Sequence, residues 1–594
     1  MIVKMKKVSV LCMADRRDET VHALRDLGIV HVTDVEPPSG KDLEESRERL
    51  SRARRALAVL SSVSAEGASA AEVGSAKEDD AREGVVEKAL QLAESRQRAA
   101  ETLKALEVEL ERIRPFGEFD PGAVLRLAER GIVVRLYQAP AKTPVTAPEG
   151  ATLVLLGRAG RKACFALAGA AGAFESEPEY EPVALHEHSS ARVRAMIDEK
   201  KKEISDADRE LLRLKPWRNA LDETAAEAEE QVRFLEVRQG MGKTDRVAYL
   251  QGFCPAPFLE RLRGAAAANG WGLALRDPEP DEAAPTLIHY PRWVRPIKAA
   301  FDVLQVFPGY READISVAFL LFFSLFFAML IGDAGYGFLF LALTLLARRK
   351  FRKAPSYAFS LMVILSVCTV GWGVLTGNYF GITDLPGPLK GLRIDWLRER
   401  NHVMALCFLI GAIHLTVAHA WNAIVAFPRS VAWAQIGWVA LTWTMFLAAR
   451  TMVLDHPFPS WGLYLPAGGL LLIALFMTPR RELRSQWIRH AMLPLNVISC
   501  FVDVISYIRL FAVGMATLAV AENVNHMAVA AGFGSVWAGL LAAFILVAGH
   551  TLNILLCCLA ILVHGVRLNT LEFSLHKEMQ WSGFPYEPFE RKGN

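Results

Sequence analysis

None of the eight cysteines stands in a CxxC pair or at ligand spacing from a histidine, which excludes a disulfide framework and a thiolate metal site. Cys368, Cys407, Cys500, Cys557 and Cys558 lie in apolar runs and read as reduced packing residues. An excess of charge is missing too. The chain has 67 basic and 64 acidic side chains, and a net charge of +3 gives no basis for a nucleic-acid partner. The opening MIVKMKKVSVLCM is basic but lacks the apolar core of a signal peptide, so the first half is expected to stay in the cytoplasm. A phosphate cradle is also absent. Gly240-Met-Gly-Lys-Thr244 looks like the end of GxxxxGK[ST], but the first glycine of that pattern falls on Val237, and a helical seam precedes it where a buried strand is required. The chain is therefore expected to bind no nucleotide, metal or other cofactor, and to hydrolyse nothing itself.

What is present is divided unevenly. The composition is 52% hydrophobic and 22% charged, yet Glu, Arg, Lys and Ala crowd residues 1–290 while Leu, Ile, Val, Phe and Ala dominate 315–567. A chain of 594 residues exceeds one hydrophobic core, so at least two domains are expected. In the first half, 8–13 reads as a strand, 18–27 as a helix stopped by Gly28, and 29–34 as a second strand, a β-α-β opening of ferredoxin-like type. Leu43, Leu50 and Leu57 then recur every seven residues. An Ala/Ser/Gly-rich stretch at 61–80 interrupts the pattern, which resumes through Leu103, Leu106, Leu110 and Ile113. The returning segment is clearer: Val193, Ile197, Ile204, Ala207, Leu211, Leu214, Leu221, Ala225, Ala228, Val232 and Leu235 follow 4-3 spacing. A sustained 3.5-residue period places an apolar seam against a partner helix. Helices at 41–113 and 187–238, separated by an αβ lobe at 115–180, thus predict an antiparallel coiled-coil hairpin, an arm about 70 Å long.

Apolar segments at 314–332, 334–348, 357–375, 402–427, 432–452, 461–478, 491–521 and 536–566 predict about eight transmembrane helices, each needing roughly 20 residues for a core about 30 Å thick. The basic cluster at 348–353, with Arg480, Arg481, Arg484 and Arg489, falls on the cytoplasmic side of that topology; Lys390, Arg393, Arg398 and Arg400 dissent. The expected fold is mainly α. A cytoplasmic domain (1–290) carries two small α/β lobes joined by the coiled coil, followed by a linker (291–313), the transmembrane bundle (314–578) and a cytoplasmic tail (579–594).

Polar residues inside the apolar segments carry the functional signal, because a charge at mid-membrane costs about 2.5–3.5 kcal/mol on insertion scales. Asn496, Ser499, Asp503 and Ser506 share one helical face at 3-4-3 spacing; Tyr507 follows them, and Arg509 lies at the edge of the stripe. His550, Asn553, Cys557, His564 and Arg567 form a second stripe on the last helix. Two stripes, each with an arginine near its end, read as walls of a hydrated path. Arg567 admits a second reading, as a helix-end arginine snorkelling to the interface. Arg509 does not, being followed by about a dozen apolar or small residues. His402, His414 and His419 read as satisfied packing residues, and Asp333 as the cap of a helix N-terminus within Gly332-Asp-Ala-Gly-Tyr-Gly337.

The chain resembles the a-type membrane stator family (subunit I) of rotary V/A-type ATPases. Its most specific matches are Gly332-Asp-Ala-Gly-Tyr-Gly337, Ser506-Tyr-Ile-Arg-Leu-Phe-Ala512 and Val563-His-Gly-Val-Arg-Leu-Asn-Thr-Leu-Glu572. Met5-Lys-Lys-Val8, Leu27-Gly-Ile-Val-His31, Val247-Ala-Tyr-Leu-Gln-Gly-Phe-Cys-Pro255 and Phe584-Pro-Tyr-Glu-Pro-Phe589 also fit, in order along nearly the whole chain. The chain departs from the family at Ile315, where Pro is common, and at Tyr290, where Asn usually precedes Pro. The resemblance implies a non-catalytic subunit of an ATP-driven ion-translocating complex in a prokaryotic plasma membrane. Its partners would be proteolipid ring subunits, peripheral-stalk helices, the central-stalk cap of the ring and membrane lipid. Arg509 would face the ring, with Arg567 as its partner. Asp503, Ser506, Tyr507 and Asn553 would line half-channels for proton or sodium, and Glu522, His550 and His564 would relay the ion. Two other classes compete: a transporter acting alone, which leaves the coiled-coil arm unexplained, and a scaffold without transport, which leaves Arg509 unexplained.

Overall fold

The computed structural model describes residues 1–62, 79–118, 120–140, 144–174, 180–183, 188–352, 354–382, 386–478, 484, 486–532 and 534–591. Most of the Ala/Ser/Gly-rich stretch, Lys353, Arg480 and Arg481 lie outside the described residues. The chain is mainly helical and forms two compact units: Met1–Val10, Leu27–Val32 and Gly252–Phe589 in one, Leu11–Asp26, Thr33–Gln251 and Glu590–Asn594 in the other.

The N-terminal elements are β1 (Met5–Met13), α1 (Arg17–Leu27), β2 (His31–Thr33), α2 (Lys41–Ser62), α3 (Asp79–Ile113), α4 (Pro121–Glu129), β3 (Ile132–Pro140), β4 (Ala151–Ala159), β5 (Lys162–Ala170), β6 (Glu181–Val183), α5 (Ser190–Leu214), α6 (Arg218–Gln239), β7 (Gly242–Lys243), β8 (Val247–Pro255), α7 (Leu259–Asn269) and β9 (Gly272–Arg276). One sheet has the order β2-β8-β1-β9, with β7 on β8, so β1-α1-β2 and β8-α7-β9 interleave. The second sheet, β4-β5-β3-β6, is antiparallel in every described pair, and α4 alone precedes it. The β-α-β pattern expected of the opening therefore occurs in the first lobe, and the lobe at 115–180 combines one helix with an antiparallel sheet. Between the sheets in sequence, α3 packs along α5 and α2 along α6. Val193, Ile197, Ala207, Leu211 and Leu214 are buried on α5, and Leu221, Ala225, Ala228, Val232 and Leu235 on α6, as the heptads require. Arg47–Glu236 (2.7 Å), Arg54–Glu229 (3.0 Å) and Arg96–Asp208 (2.7 Å) flank the seams.

The rest of the chain forms α8 (Lys298–Leu304), α9 (Ser316–Ile331), α10 (Ala334–Lys350), α11 (Ser356–Thr376), α12 (Gly387–Lys390), α13 (Arg400–Ala426), α14 (Val431–Leu454), α15 (Tyr464–Phe476), α16 (Trp487–Ala491), α17 (Leu493–Ser506), α18 (Ile508–Ala531), α19 (Val536–Ala560) and a last turn, α20 (Ser574–His576). Five helical segments are long and apolar enough to cross a membrane: α11, α13, α14, the α17–α18 rod and α19 with its extension to His576. Helices α9 and α10 pass the same test only together and are bent by 120°. The eight spans expected from hydropathy thus become five, or six if the bent pair is one crossing, among the described residues. The hydropathy pattern measured apolar run length. It did not register that Gly332, at φ 67°, turns the chain between two helices that are each short for a span.

Near the start of this unit, Glu282 accepts from Arg276 (2.5 and 3.0 Å) and pairs with Lys7. The Arg276 hydrogen bond, followed by that from Lys7, holds its carboxyl down to about 2. Because the folded value lies below the unfolded one, the stabilisation is present above about pH 4.3 and is lost as pH falls through about 2. Glu282→Gln is expected to remove about 0.5–1 kcal/mol at neutral pH. Thermal unfolding of both proteins at neutral and acidic pH checks this: their difference should shrink on acidification.

Candidate functional site

The α17–α18 rod breaks its regular bonding at Tyr507, and Arg509 follows on the first turn of α18. Its Nε donates to the Ser506 carbonyl at 3.0 Å, and its terminal nitrogen donates to Glu572 Oε1 at 2.9 Å. Arg567 Nε reaches the same oxygen at 3.3 Å. Glu572 has a side chain only 4% exposed, against 23% for Arg509 and 53% for Arg567. One buried carboxylate therefore neutralises one of two guanidinium groups and leaves a surplus positive charge whose exposed edge belongs to the arginines.

The geometry depends on a local change of helix type. After α19 the backbone runs as π-helix at Ile561–Gly565 and again at Leu568–Phe573. In an α-helix residues five apart face different ways; i→i+5 bonding brings Arg567 and Glu572 together. The same turns displace the second polar stripe from a continuous face. His550 and Asn553 belong to a separate cluster: Asn553 donates to Tyr336 Oη and to the Thr517 carbonyl, both at 3.0 Å, while His550 lies 2.7 Å from Tyr336 Oη and 3.1 Å from Asn525 Oδ1. His564 has an unpartnered buried Nδ1. Tyr507 is wholly buried, its hydroxyl 2.8 Å from His414 Nδ1, so it faces the bundle interior. Ser506 is mostly buried and donates to the Asp503 carbonyl at 2.7 Å.

Two cavities lie toward opposite ends of the α17–α18 rod. One, of about 460 Å³, is lined by Asn496, Ser499 and Asp503 of α17 together with His419, Gln435 and His576. The other, of about 360 Å³, is lined by Leu510, Gly514 and Glu522 of α18 together with Thr376, Arg398 and Arg400. On α13 they likewise separate, at His419 and at Arg400. Arg509 stands between them in sequence, between Asp503 and Leu510.

The first cavity contains a chain the sequence reading did not find. Asp503 Oδ2 lies 3.1 Å from His576 Nε2, His576 Nδ1 lies 2.8 Å from His419 Nε2, His419 Nδ1 lies 2.7 Å from Gln435 Oε1, and Gln435 Nε2 donates to Glu578 Oε1 at 3.2 Å. Four segments supply it, so no spacing along the sequence reveals it. His419 is buried and hydrogen-bonded at both ring nitrogens, as a satisfied packing residue is. Glu572 enters the sequence reading only as the last residue of the Val563–Glu572 motif, and its spacing of five from Arg567 hid the pairing.

No family model matches the chain. It is similar over its full length, and over the full length of each relative, to V-type ATP synthase subunit I 1 of Treponema pallidum (30% identity) and V-type ATP synthase subunit I of Borreliella burgdorferi (28%). An A-type ATP synthase subunit I of Methanocaldococcus jannaschii is 26% identical over 59% of this chain and 56% of its own. A crystal structure of the cytoplasmic N-terminal domain of subunit I, homolog of subunit a, of V-ATPase aligns with 46% of this chain and 99% of that domain at 16% identity. Its TM-score is 0.22, and the likeness adds nothing to the assignment.

Proposed function

Because the chain belongs to the V-type ATP synthase subunit I family, we propose that it is the membrane stator of a rotary ATP synthase, with Arg509 as the fixed charge that couples ion flow to rotation. The observation that carries this reading is a guanidinium on a membrane helix, partly exposed, tethered by a buried carboxylate, with a cavity toward either end of its helix. A guanidinium stays charged at any working pH and presents a fork to carboxylates. Facing a ring of carboxylate-bearing subunits, Arg509 holds each passing carboxylate ionised, so that an ion entering from one cavity leaves through the other only after the ring has turned. Arg567 and Glu572 set its position. Asp503 and Ser506 belong to one half-channel and Glu522 to the other; His550, Asn553 and His564 stand along the last helix, and Tyr507 supports the rod from inside.

In this reading residues 1–290 form a cytoplasmic arm that docks peripheral-stalk helices and resists torque, 291–313 lead into the membrane, 314–578 form the membrane part, and 579–594 return to the cytoplasm. Paired helices with buried heptad seams suit a load-bearing arm. The ring, its central-stalk cap and surrounding lipid complete the set of partners. The test is ATP-driven ion uptake by membrane vesicles containing the complex with Arg509 replaced. Loss of uptake in an assembled complex supports the reading, and normal uptake removes it.

A further inference from the structure

The hydrogen-bond chain in the larger cavity has a polarity that its own atoms dictate. The Glu578 carboxylate only accepts, so the group opposite it is the Gln435 amide nitrogen, and the Gln435 oxygen must face His419. That oxygen also only accepts, so His419 Nδ1 carries a proton, and the Nε2 of a neutral His419 offers a lone pair to His576. His576 Nδ1 must then be the donor. Its remaining nitrogen, Nε2, faces Asp503 Oδ2 at 3.1 Å. Two lone pairs do not make a hydrogen bond. One further proton must sit between them, either on the imidazole as a cation or on the carboxyl.

We propose that Asp503 and His576 form a one-proton site at the larger cavity, backed by His419, and that it loads and unloads the coupling ion of the complex as a proton. The inference rests on the stator reading and assigns it an ion and a place of exchange. Its support is positional as well as chemical. Asp503 and His576 both line a space of about 460 Å³, roomy enough for water. Asp503 lies six residues from Arg509, about 9 Å along the rod, and is linked toward it through Ser506, whose hydroxyl bonds the Asp503 carbonyl and whose own carbonyl receives Arg509 Nε. Imidazole nitrogens exchange protons readily and are poor ligands for alkali cations, which take oxygen. No bond other than N–H or O–H is made or broken: a proton from the cavity joins the pair, and one leaves it toward the ring.

The charges around the pair come from every packed element. Arg489 and Glu578 line the cavity with it, as does Cys500 on α17; His419 and Gln435 face it from α13 and α14; Lys577 is held away by Asn422 Oδ1 at 2.6 Å. His576→Gln keeps a polar side chain of similar reach but cannot carry the charge.

The experiment uses inverted vesicles containing the whole complex, with an internal pH indicator reporting ATP-driven proton uptake in sodium-free buffer. His576→Gln is expected to lower the initial rate about tenfold or more, with the complex assembled and its dependence on outside pH altered. Asp503→Asn, nearly isosteric, serves if the histidine variant fails to assemble, and should give the same loss. The double variant should be no slower than the worse single one, because the two residues act as a unit. Wild-type uptake and pH profile in either assembled variant overturn the proposal, as does an absolute need for sodium. Arg509→Ala in the same vesicles separates the two readings: if it abolishes uptake while His576→Gln and Asp503→Asn do not, only the proton site falls; if it too has no effect, the stator reading falls with it.

Discussion

Arg509→Ala should abolish ATP-driven ion uptake by assembled complexes while leaving subunit composition intact. The size of the effect follows from the charge removed. A guanidinium about 4 Å from a carboxylate in surroundings of effective dielectric near 20 contributes about 4 kcal/mol, equivalent to about a thousandfold preference for the ionised form. Without it, a carboxylate passing the stator can stay protonated or sodium-bound, and ions cross between half-channels without turning the ring. Vesicles should then hydrolyse ATP, if at all, without accumulating ions, and a gradient imposed from outside should decay faster. Arg509→Lys keeps the charge but not the fork. The ammonium cannot hold both the Ser506 carbonyl and Glu572 in the same geometry, so partial uptake is expected. An alanine variant that pumps normally in an assembled complex would mean that Arg509 only balances Glu572.

Asp333→Ala should prevent stable assembly. This carboxylate is buried, and four backbone N–H groups converge on it: Gly335 (2.7 Å), Tyr336 (3.2 Å) and Phe380 (2.8 Å) on one oxygen, Gly381 (2.9 Å) on the other. It caps α10 and fastens the segment after α11 to the bend after α9. The space around it is closed: a Cβ added at Gly373 would meet Ala334 N at 2.1 Å, and one at Gly335 would meet the Phe380 ring at 2.4 Å. Each donor left unsatisfied costs about 1–3 kcal/mol, so the alanine variant should lose about 4 kcal/mol or more, a large share of a typical folding free energy. Asp333→Asn should be milder, because its oxygen can serve three of the donors while its amide nitrogen opposes Gly381. Native gels of solubilised membranes and thermal unfolding of the complex measure both. Wild-type assembly of Asp333→Ala would show that water replaces the carboxylate and that the cap is dispensable.

The parts of this chain that could be read from its sequence are those where one residue's chemistry is costly or one segment's period is sustained. Arg509 stood out because a guanidinium within an apolar run has few structural excuses, and Asp333 because glycines on both sides marked a helix start. The seam through Val193, Leu211 and Leu235 followed from counting to seven. What could not be read depends on geometry between segments. The glycines at 332–337 read as a tight reversal between two helices, but do not show that the two apolar runs pass for a span only as one pair bent by 120°. The break at Tyr507 turns a residue adjacent to the polar stripe into the core, against His414. Asp503, His576, His419 and Gln435 are scattered over a separation of 157 residues and meet only when four helical segments pack.

The two π segments after α19 make the number of residues there matter as much as their identity. Thr570 is neither charged nor part of the arginine–carboxylate contact; its hydroxyl bonds the Val566 carbonyl at 3.1 Å. Thr570→Ala should therefore be nearly silent in uptake. Deleting Thr570 is another matter. A π turn stores one residue more than the α turn it replaces. The deletion would let the segment close as ordinary α-helix, with no break in the chain and no charge lost, and would put the carboxylate four positions from Arg567, a spacing that an α-helix also holds on one face, so the pair should persist without the π turn. The spacing of five between Arg567 and Glu572 is thus tied to the π turn, and a change in the number of residues there has to be matched by a change of helix type.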